Sequence, residues 1–587
     1  DVLGSRGLGD VYKRQDLSSR RKTIIIAVFN IFVFILFVIF CGVRYNMDDE
    51  KFFSLSIAFG DYNIIFTNYF LCRLIGFIQH MIYPINAFTA VSLMFAVLAF
   101  ITLHSIFARK ISLKWSFLVM IFLYAFFGVN HLTIISYTML PALLAVAGLF
   151  YIIDGLDAKF RMRNALWGVF LTVIASMYRF KVFLSCFCVI AVFYLVRYLI
   201  GYRKSEKNLL SYVKKLFTKQ FSFTLVTVVL LVFSFNFASQ IINTSTPELS
   251  YYKQYTTLRS QVWDFEMPSY EEAKSEYDSL NITENDLKML KNIYLDDGGA
   301  FTIDTLTELV EIRKAHIDNR NIFSSFIDMS KSLILETLSF STDKSILFIS
   351  FLLIMLLFLL IMKKRYYFIP ISLLVVMAGL NFYLWQYGRT PYRAIYGIVF
   401  PCVVSILYSV EKSGFKKKAL RFFDNNIFYS SVAIVCIAVI SFIVPVTLSK
   451  SYSIDTQIKK VSGHDQVVNY IESQNDKRFV VANCINVSNN YNLQRPWTVK
   501  IPDVPENAAQ FLGTYYRSTY DNHLLEKFGT KDVYTFLINN DSAYFVDTVE
   551  VNVYKMFETY LNDHYSNGKN IKLVLNKSIG DYRFYSV

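Results

Sequence analysis

About eleven long apolar stretches run through this chain, most near the roughly 20 helical residues that a bilayer core of about 30 Å demands, the fifth being short. No other feature constrains the fold as much. A backbone inside hydrocarbon must satisfy its own hydrogen bonds, so such stretches become helices and pack into a bundle. The expected spans are Thr23–Val43, Ile85–Phe107, Trp115–Val129, Leu132–Ile153, Ala165–Met177, Val182–Ile200 and Phe221–Ile242, then Ile346–Met362, Phe368–Trp385, Ala394–Val410 and Ile427–Leu448. Composition agrees: 54% of residues are hydrophobic and 18% charged, too apolar for a soluble protein of this length. The 7 cysteines form no disulfide framework or metal-spaced pair.

The basic residues set the orientation. Arg20-Arg21-Lys22, Arg109-Lys110 with Lys114, Lys159 with Arg161 and Arg163, Arg203 to Lys219, Lys363-Lys364-Arg365 and Lys412 to Arg421 all fall on one side of the expected spans. By the positive-inside rule that side is cytoplasmic, which puts the N-terminus inside and the C-terminus outside. The net charge of +14 therefore belongs to short loops flanking spans, which argues against nucleic acid as a partner and for the lipid bilayer.

Five segments follow. Residues 1–15 are Gly-rich, unlike everything after them, and read as foreign to the native chain. Residues 16–242 form a first transmembrane module with an outer loop at 44–84, in which Ile64–Tyr83 is expected to lie as a helix along the membrane surface. Residues 243–344 form an extracytoplasmic helical segment, and 345–448 the remaining transmembrane helices. Residues 449–587 form a small extracytoplasmic α/β or α+β domain, with expected strands at Arg478–Ala482, Val533–Ile538, Ala543–Val549, Ile571–Leu575 and Tyr582–Val587 and a helix over Val553 to His564.

Ionisable groups at a membrane boundary are costly and tend to mark function. On the outer side stand Arg44, Asp48, Asp49, Glu50, Arg73, His80, His131, Arg179, Lys181, Arg389 and Arg393. An acid here can accept the proton of an attacking hydroxyl, or hold a divalent cation such as Mg or Mn through oxygen ligands; the residue types fit both. Arg179 and Lys181 lie in one short outer turn, and Arg389 and Arg393 in another, each against the positive-inside bias. Arginine grips phosphate oxygens with paired donors and lysine adds a mobile charge, so the expected counterpart is a lipid-linked anion. Arg259 and Asp264 read as a structural pair or a solvated face.

Asp48-Asp49 after the first span, the surface helix Ile64–Tyr83, and Pro84-Ile85-Asn86 opening the second span together resemble the GT-C superfamily of membrane glycosyltransferases. The outer segment and the C-terminal domain are similar to polysaccharide-associated membrane proteins of low-GC Gram-positive bacteria. This resemblance implies a GT-C-like polytopic α-helical membrane protein of a bacterial plasma membrane. It implies transfer of a sugar from polyprenyl phosphate to a glycan, lipid or protein acceptor. Asp48 or Asp49 would be the catalytic base or the metal-binding acid. Glu50, Arg44, Arg73, His80, His131, Arg179, Lys181, Arg389 and Arg393 would line the substrate site by position. The alternatives are a polysaccharide polymerase or ligase, a lipid-linked-sugar transporter, and a non-catalytic envelope assembly protein.

Overall fold

A computed structural model describes residues 3–46, 48–111, 113–157, 162–201, 218–292, 294–318, 320–339, 343–410, 464–482, 496–499, 505–510, 515–548 and 553–587. Each expected span up to Ala394–Val410 has its helix: α1 (Leu3–Cys41), α4 (Ala87–Lys110), α5 (Leu113–Leu132), α6 (Met139–Asp157), α7 (Met162–Tyr178), α8 (Phe180–Ile200), α9 (Lys219–Ile242), α15 (Asp343–Ile361), α16 (Phe368–Gln386) and α17 (Tyr392–Tyr408). Among the described residues, 8 helices are long and apolar enough to cross a membrane, while α7 and α17 are shorter apolar helices packed among them. The span expected at Ile427–Leu448 lies outside the described residues.

The chain is a polytopic helical membrane protein. Ile24, Phe32 and Phe40 on α1, Phe233 and Phe237 on α9, and Leu356 and Leu360 on α15 are exposed, as expected of faces turned to acyl chains. Inside the bundle small residues allow close approach. A Cβ on Gly148 of α6 would come within 2.8 Å of the Gly168 carbonyl of α7. Packing of this kind replaces the hydrophobic drive that helices lack in lipid. Buried polar groups pair across helices: Tyr124 donates to Asn30 Oδ1 at 2.5 Å, and Asn30 Nδ2 lies 2.9 Å from His104 Nδ1.

Between α1 and α4 lie strand β1 (Arg44–Tyr45) and helices α2 (Asp48–Phe59) and α3 (Tyr69–Ile82). α3 is amphipathic, as expected of a surface helix: Leu71, Cys72, Ile75 and Gln79 are buried, while Leu74, Phe77 and Met81 are exposed. β1 pairs in parallel with β2 (Ile134–Ile135), joining the loop after α1 to the loop after α5.

The segment after α9 folds into α10 (Pro247–Trp263), α11 (Lys274–Ser279), α12 (Glu284–Lys291), α13 (Ile303–Asp318) and α14 (Ile322–Leu338). The C-terminal domain contains α18 (His464–Ser473), β3 (Arg478–Val481), β4 (Ala508–Gln510), α19 (Thr519–Glu526), α20 (Val533–Asn539), β5 (Ala543–Thr548), α21 (Tyr554–Tyr565), β6 (Val574–Ile579) and β7 (Tyr582–Ser586). Its sheet order is β4-β3-β5-β7-β6, with the first three strands parallel and the last two joined antiparallel. Two strand expectations are corrected. Val533–Ile538 is helical, because Asp532 caps it by accepting from Tyr534 N and Thr535 N, and Val533, Tyr534 and Leu537 then share its buried side. The strand expected at Ile571–Leu575 begins instead at Val574.

The helical segment after α9 and the C-terminal domain are bonded to each other. Arg517 pairs with Asp297 at 2.5 Å, His564 with Asp286 at 2.9 Å, and Tyr560 and Tyr565 donate to Asp296 at 2.8 and 2.6 Å. The same domain touches the bundle. Val499 N donates to the Pro84 carbonyl at 2.9 Å, Asn86 N to the Trp497 carbonyl at 3.0 Å, and Tyr515 packs on Phe52 and Phe53 of α2. The C-terminal domain therefore caps the end of the bundle that carries the chain between α1 and α4.

Candidate functional site at the capped end of the bundle

The β1–β2 pairing places the start of α2 against the chain entering α6. Arg44 N donates to the Thr133 carbonyl at 2.8 Å and Asn46 N to the Ile135 carbonyl at 2.9 Å. Two residues beyond β2, Tyr137 meets two acids of α2, Asp49 and Glu50. Its hydroxyl donates to Asp49 Oδ2 at 3.1 Å and its backbone N–H to Glu50 Oε1 at 3.2 Å. Glu50 is 0% exposed, so it holds the Tyr137 backbone and is sealed from any substrate. Asp49 is buried with 12% of its side chain accessible.

Basic groups converge on the same tyrosine. Arg393 Nη1 reaches Asp49 Oδ2 at 3.3 Å, and its guanidinium lies 5.9 Å from the Tyr137 ring centre. Arg179, at the N-cap of α8, lies 4.7 Å from that ring centre and 5.0 Å from the centre of Phe66. Rings clamp both cations without neutralising them. Lys181, two residues on, is within Coulombic reach of Arg179, Arg389 and Asp264. Arg389 pairs with Asp264 at 2.9 Å and lies 5.2 Å from the centre of Phe265. Burial pushes the Arg389 guanidinium below its ordinary value, against the pull of Asp264.

Asp49, Glu50, Arg179, Lys181, Arg389 and Arg393 are thus gathered from α2, the α7–α8 turn and the α16–α17 turn. Two kinds of group in this cluster stay uncommitted. Both Asp49 contacts fall on Oδ2, which leaves Oδ1 without a partner among the described residues. Arg179 Nη1 is buried and also has no hydrogen-bond partner. Burying an unpaired charged donor is costly, so an anion is the natural complement of this arrangement.

Arg44 pairs through its backbone in β1, beside the strand that leads to Tyr137. Arg73 and His80 are exposed on the face of α3 that carries Phe77 and Met81, with Arg73 set 5.6 Å from the Tyr62 ring centre. The structure therefore does not bring these two to the cluster. His131 is buried inside the bundle, sharing a hydrogen bond with the Tyr396 hydroxyl at 2.5 Å beside Phe100 and Phe400. The Asp48 side chain lies outside the described residues.

Among the described residues no group of three or more His, Cys, Asp or Glu could hold a metal ion, and Asp49 Oδ2 faces a guanidinium.

Sequence reasoning missed Tyr137, which no motif marks, and misassigned Arg259. Asp264 pairs with Arg389, while Arg259 is 2% exposed with Nε and Nη1 unpartnered. Arg313 on α13 is 3% exposed, has the same two atoms unpartnered, and lies 4.9 Å from the Phe265 ring centre. The available signal was one arginine, Arg259, set among Tyr255, Trp263 and Phe265.

No family model matches the sequence, and no curated protein matches it. Among solved structures, the crystal structure of ArnT from Cupriavidus metallidurans bound to undecaprenyl phosphate matches over 96% of this chain and 97% of that one, at 9% identity and a TM-score of 0.39. The apo structure of the same protein matches over the same shares at 9% identity and a TM-score of 0.37. Scores this low fall short of defining a shared fold, so the chemistry of the site rests on this chain's own geometry.

Proposed function

We propose that this chain is a membrane glycosyltransferase that moves a sugar from polyprenyl phosphate to a hydroxyl of a glycan, lipid or protein acceptor on the outer face of a bacterial plasma membrane. One observation carries the reading: a half-buried arginine whose Nη1 is buried without a partner stands near a carboxylate with a spare oxygen, at the capped end of a membrane bundle. A base and an anion grip are the two parts that displacement at an anomeric carbon requires.

In the proposed step the acceptor oxygen attacks the anomeric carbon. The bond from that carbon to the phosphate oxygen breaks, and its electron pair leaves with the phosphate. The acceptor proton passes to Asp49 Oδ1, while Arg393 and the Tyr137 hydroxyl hold the carboxylate through Oδ2. Arg179, Lys181 and Arg389 stabilise the departing polyprenyl phosphate, a large term where water is scarce. Tyr515, which donates to the Asp49 carbonyl at 3.2 Å, ties the C-terminal cap to this acid.

Asp49→Asn keeps the shape and removes the base. Sugar transfer from a polyprenyl-phosphate donor in proteoliposomes is expected to fall by about 10²–10⁴-fold. Transfer at the wild-type rate would reject the role of Asp49.

The polymerase or ligase reading has its own observation in Arg259 and Arg313, both buried in the large outer segment with spare donors. Under that reading the Arg259→Ala, Arg313→Ala double variant loses polymer formation while Asp49→Asn retains it.

A further inference from the structure

Beside the Arg389 turn lies a cavity of about 430 Å³, lined by Glu266, Arg320, Asn321, Ser324, Ser325, Asp328, Trp385, Gly388 and Thr390. Gly388 and Thr390 flank Arg389 in sequence, so one turn borders this cavity while its central arginine pairs with Asp264 in the site described above. The turn sits close against the outer segment. Gly388 has φ +68, and a Cβ there would come within 2.6 Å of the Glu266 Cβ. Glu266 is held by Arg320 at 3.0 Å.

The lining is built of groups with capacity to spare. Asn321 spends its oxygen capping α14, accepting from Phe323 N and Ser324 N, and its Nδ2 has no partner among the described residues. Neither the Asp328 carboxylate nor Trp385 Nε1 has a hydrogen-bond or ion-pair partner among the described residues. The cavity falls in the 300–1,000 Å³ class typical of small-molecule sites. A half-buried indole edged by carboxylate, amide and hydroxyl groups matches one class of ligand well: a saccharide ring. Its C–H face stacks on the aromatic surface, and its vicinal hydroxyls serve carboxylate and amide in pairs.

Access separates this cavity from the lipid donor. Asn321, Ser324 and Asp328 are exposed and lie outside every candidate span. Phe323, Ile327 and Leu335, elsewhere on α14, are exposed apolar residues, as on a helix resting at a membrane surface. The polar groups of the lining are therefore open at the surface of the protein.

We propose that this cavity is the subsite for a sugar ring of the acceptor, which makes the acceptor a glycan or glycoconjugate. The assignment rests on the glycosyltransferase reading above. The Arg389 turn then separates the two substrates, with the donor phosphate on one side and the acceptor saccharide on the other.

The test is saturation-transfer NMR on the full-length protein in nanodiscs, with glucose, galactose and N-acetylglucosamine as probes and polyprenyl phosphate binding measured in parallel. At least one probe is expected to bind saturably. Trp385→Ala and Asp328→Ala are each expected to weaken it by at least about tenfold, with polyprenyl phosphate binding unchanged. Because Asp328 is exposed, its variant decides the matter should Trp385→Ala fail to fold. Absence of saturable binding by all three sugars, or binding indifferent to Asp328→Ala, overturns the acceptor subsite while leaving the donor site standing. Loss of polyprenyl phosphate binding in the wild type would overturn the glycosyltransferase reading instead.

Discussion

Two buried charge clusters lie at the capped end of this protein, and they differ in how completely their polar atoms are used. At the junction of the outer segment with the C-terminal domain, Asp297 accepts from Arg517 Nε at 2.9 Å and Nη2 at 2.5 Å, from Tyr516 at 2.7 Å and from Tyr251 at 2.6 Å. Burial pushes its carboxyl up, yet these four donors outweigh burial and hold it below its ordinary value. At the other cluster Asp49 receives long contacts on one oxygen only, and Arg179 keeps a buried donor idle. A saturated cluster fixes two pieces of chain together. An unsaturated one carries a cost that a ligand can remove, which is the signature expected of a binding site.

The first way to break this comparison is to remove one partner from the saturated cluster. Arg517→Ala strands Asp297 among tyrosines and is expected to lower stability by about 3 kcal/mol, read from unfolding in detergent. Little change would mean that the junction is no more binding than the site. The same measurement on Arg179→Met sharpens the contrast: stability should stay within about 1 kcal/mol of wild type, or rise, because an unsatisfied buried donor is gone. A loss as large as that of Arg517→Ala would make Arg179 structural.

A separate effect concerns pH. Burial raises the Asp521 carboxyl, which accepts from Arg517 N at 2.7 Å, from 3.8 to about 7. Between those values the folded chain binds more protons than the unfolded one, so Asp521 makes stability fall as pH rises from about 4 to 7. The slope cannot exceed about 1.4 kcal/mol per pH unit from one group. Asp521→Asn is expected to flatten that part of the stability profile, and an unchanged profile would show that Asp521 ionises normally.

Much of the bundle was legible because hydrocarbon admits few solutions. Apolar length alone located every described span, and the helix expected within Ile64–Tyr83 forms over Tyr69–Ile82 with one buried and one exposed face. The site was legible only in part. Charges on the wrong side of the membrane singled out Arg179, Lys181, Arg389 and Arg393, but sequence position cannot say which way a side chain faces. Arg73 and His80 share their helix face with Phe77, seven residues covering two turns, and that spacing already placed them away from buried Cys72, Ile75 and Gln79. Tyr137 was invisible because its role comes from a parallel pairing between residues 44–45 and 134–135, a contact with no local sequence signal. In the C-terminal domain, β-branched and aromatic residues in Val533–Ile538 suggested a strand, while the preceding Asp532 was the cap that made it a helix.

The central claim is that the idle donor of Arg179 awaits the phosphate of a lipid carrier. Its most direct test is binding of undecaprenyl phosphate to the full chain in nanodiscs, against undecaprenol as the uncharged control. The account predicts saturable binding of the phosphate, tighter than the alcohol by about tenfold or more, with the preference abolished by Arg179→Met. Equal binding of phosphate and alcohol, or a preference that survives Arg179→Met, would contradict it.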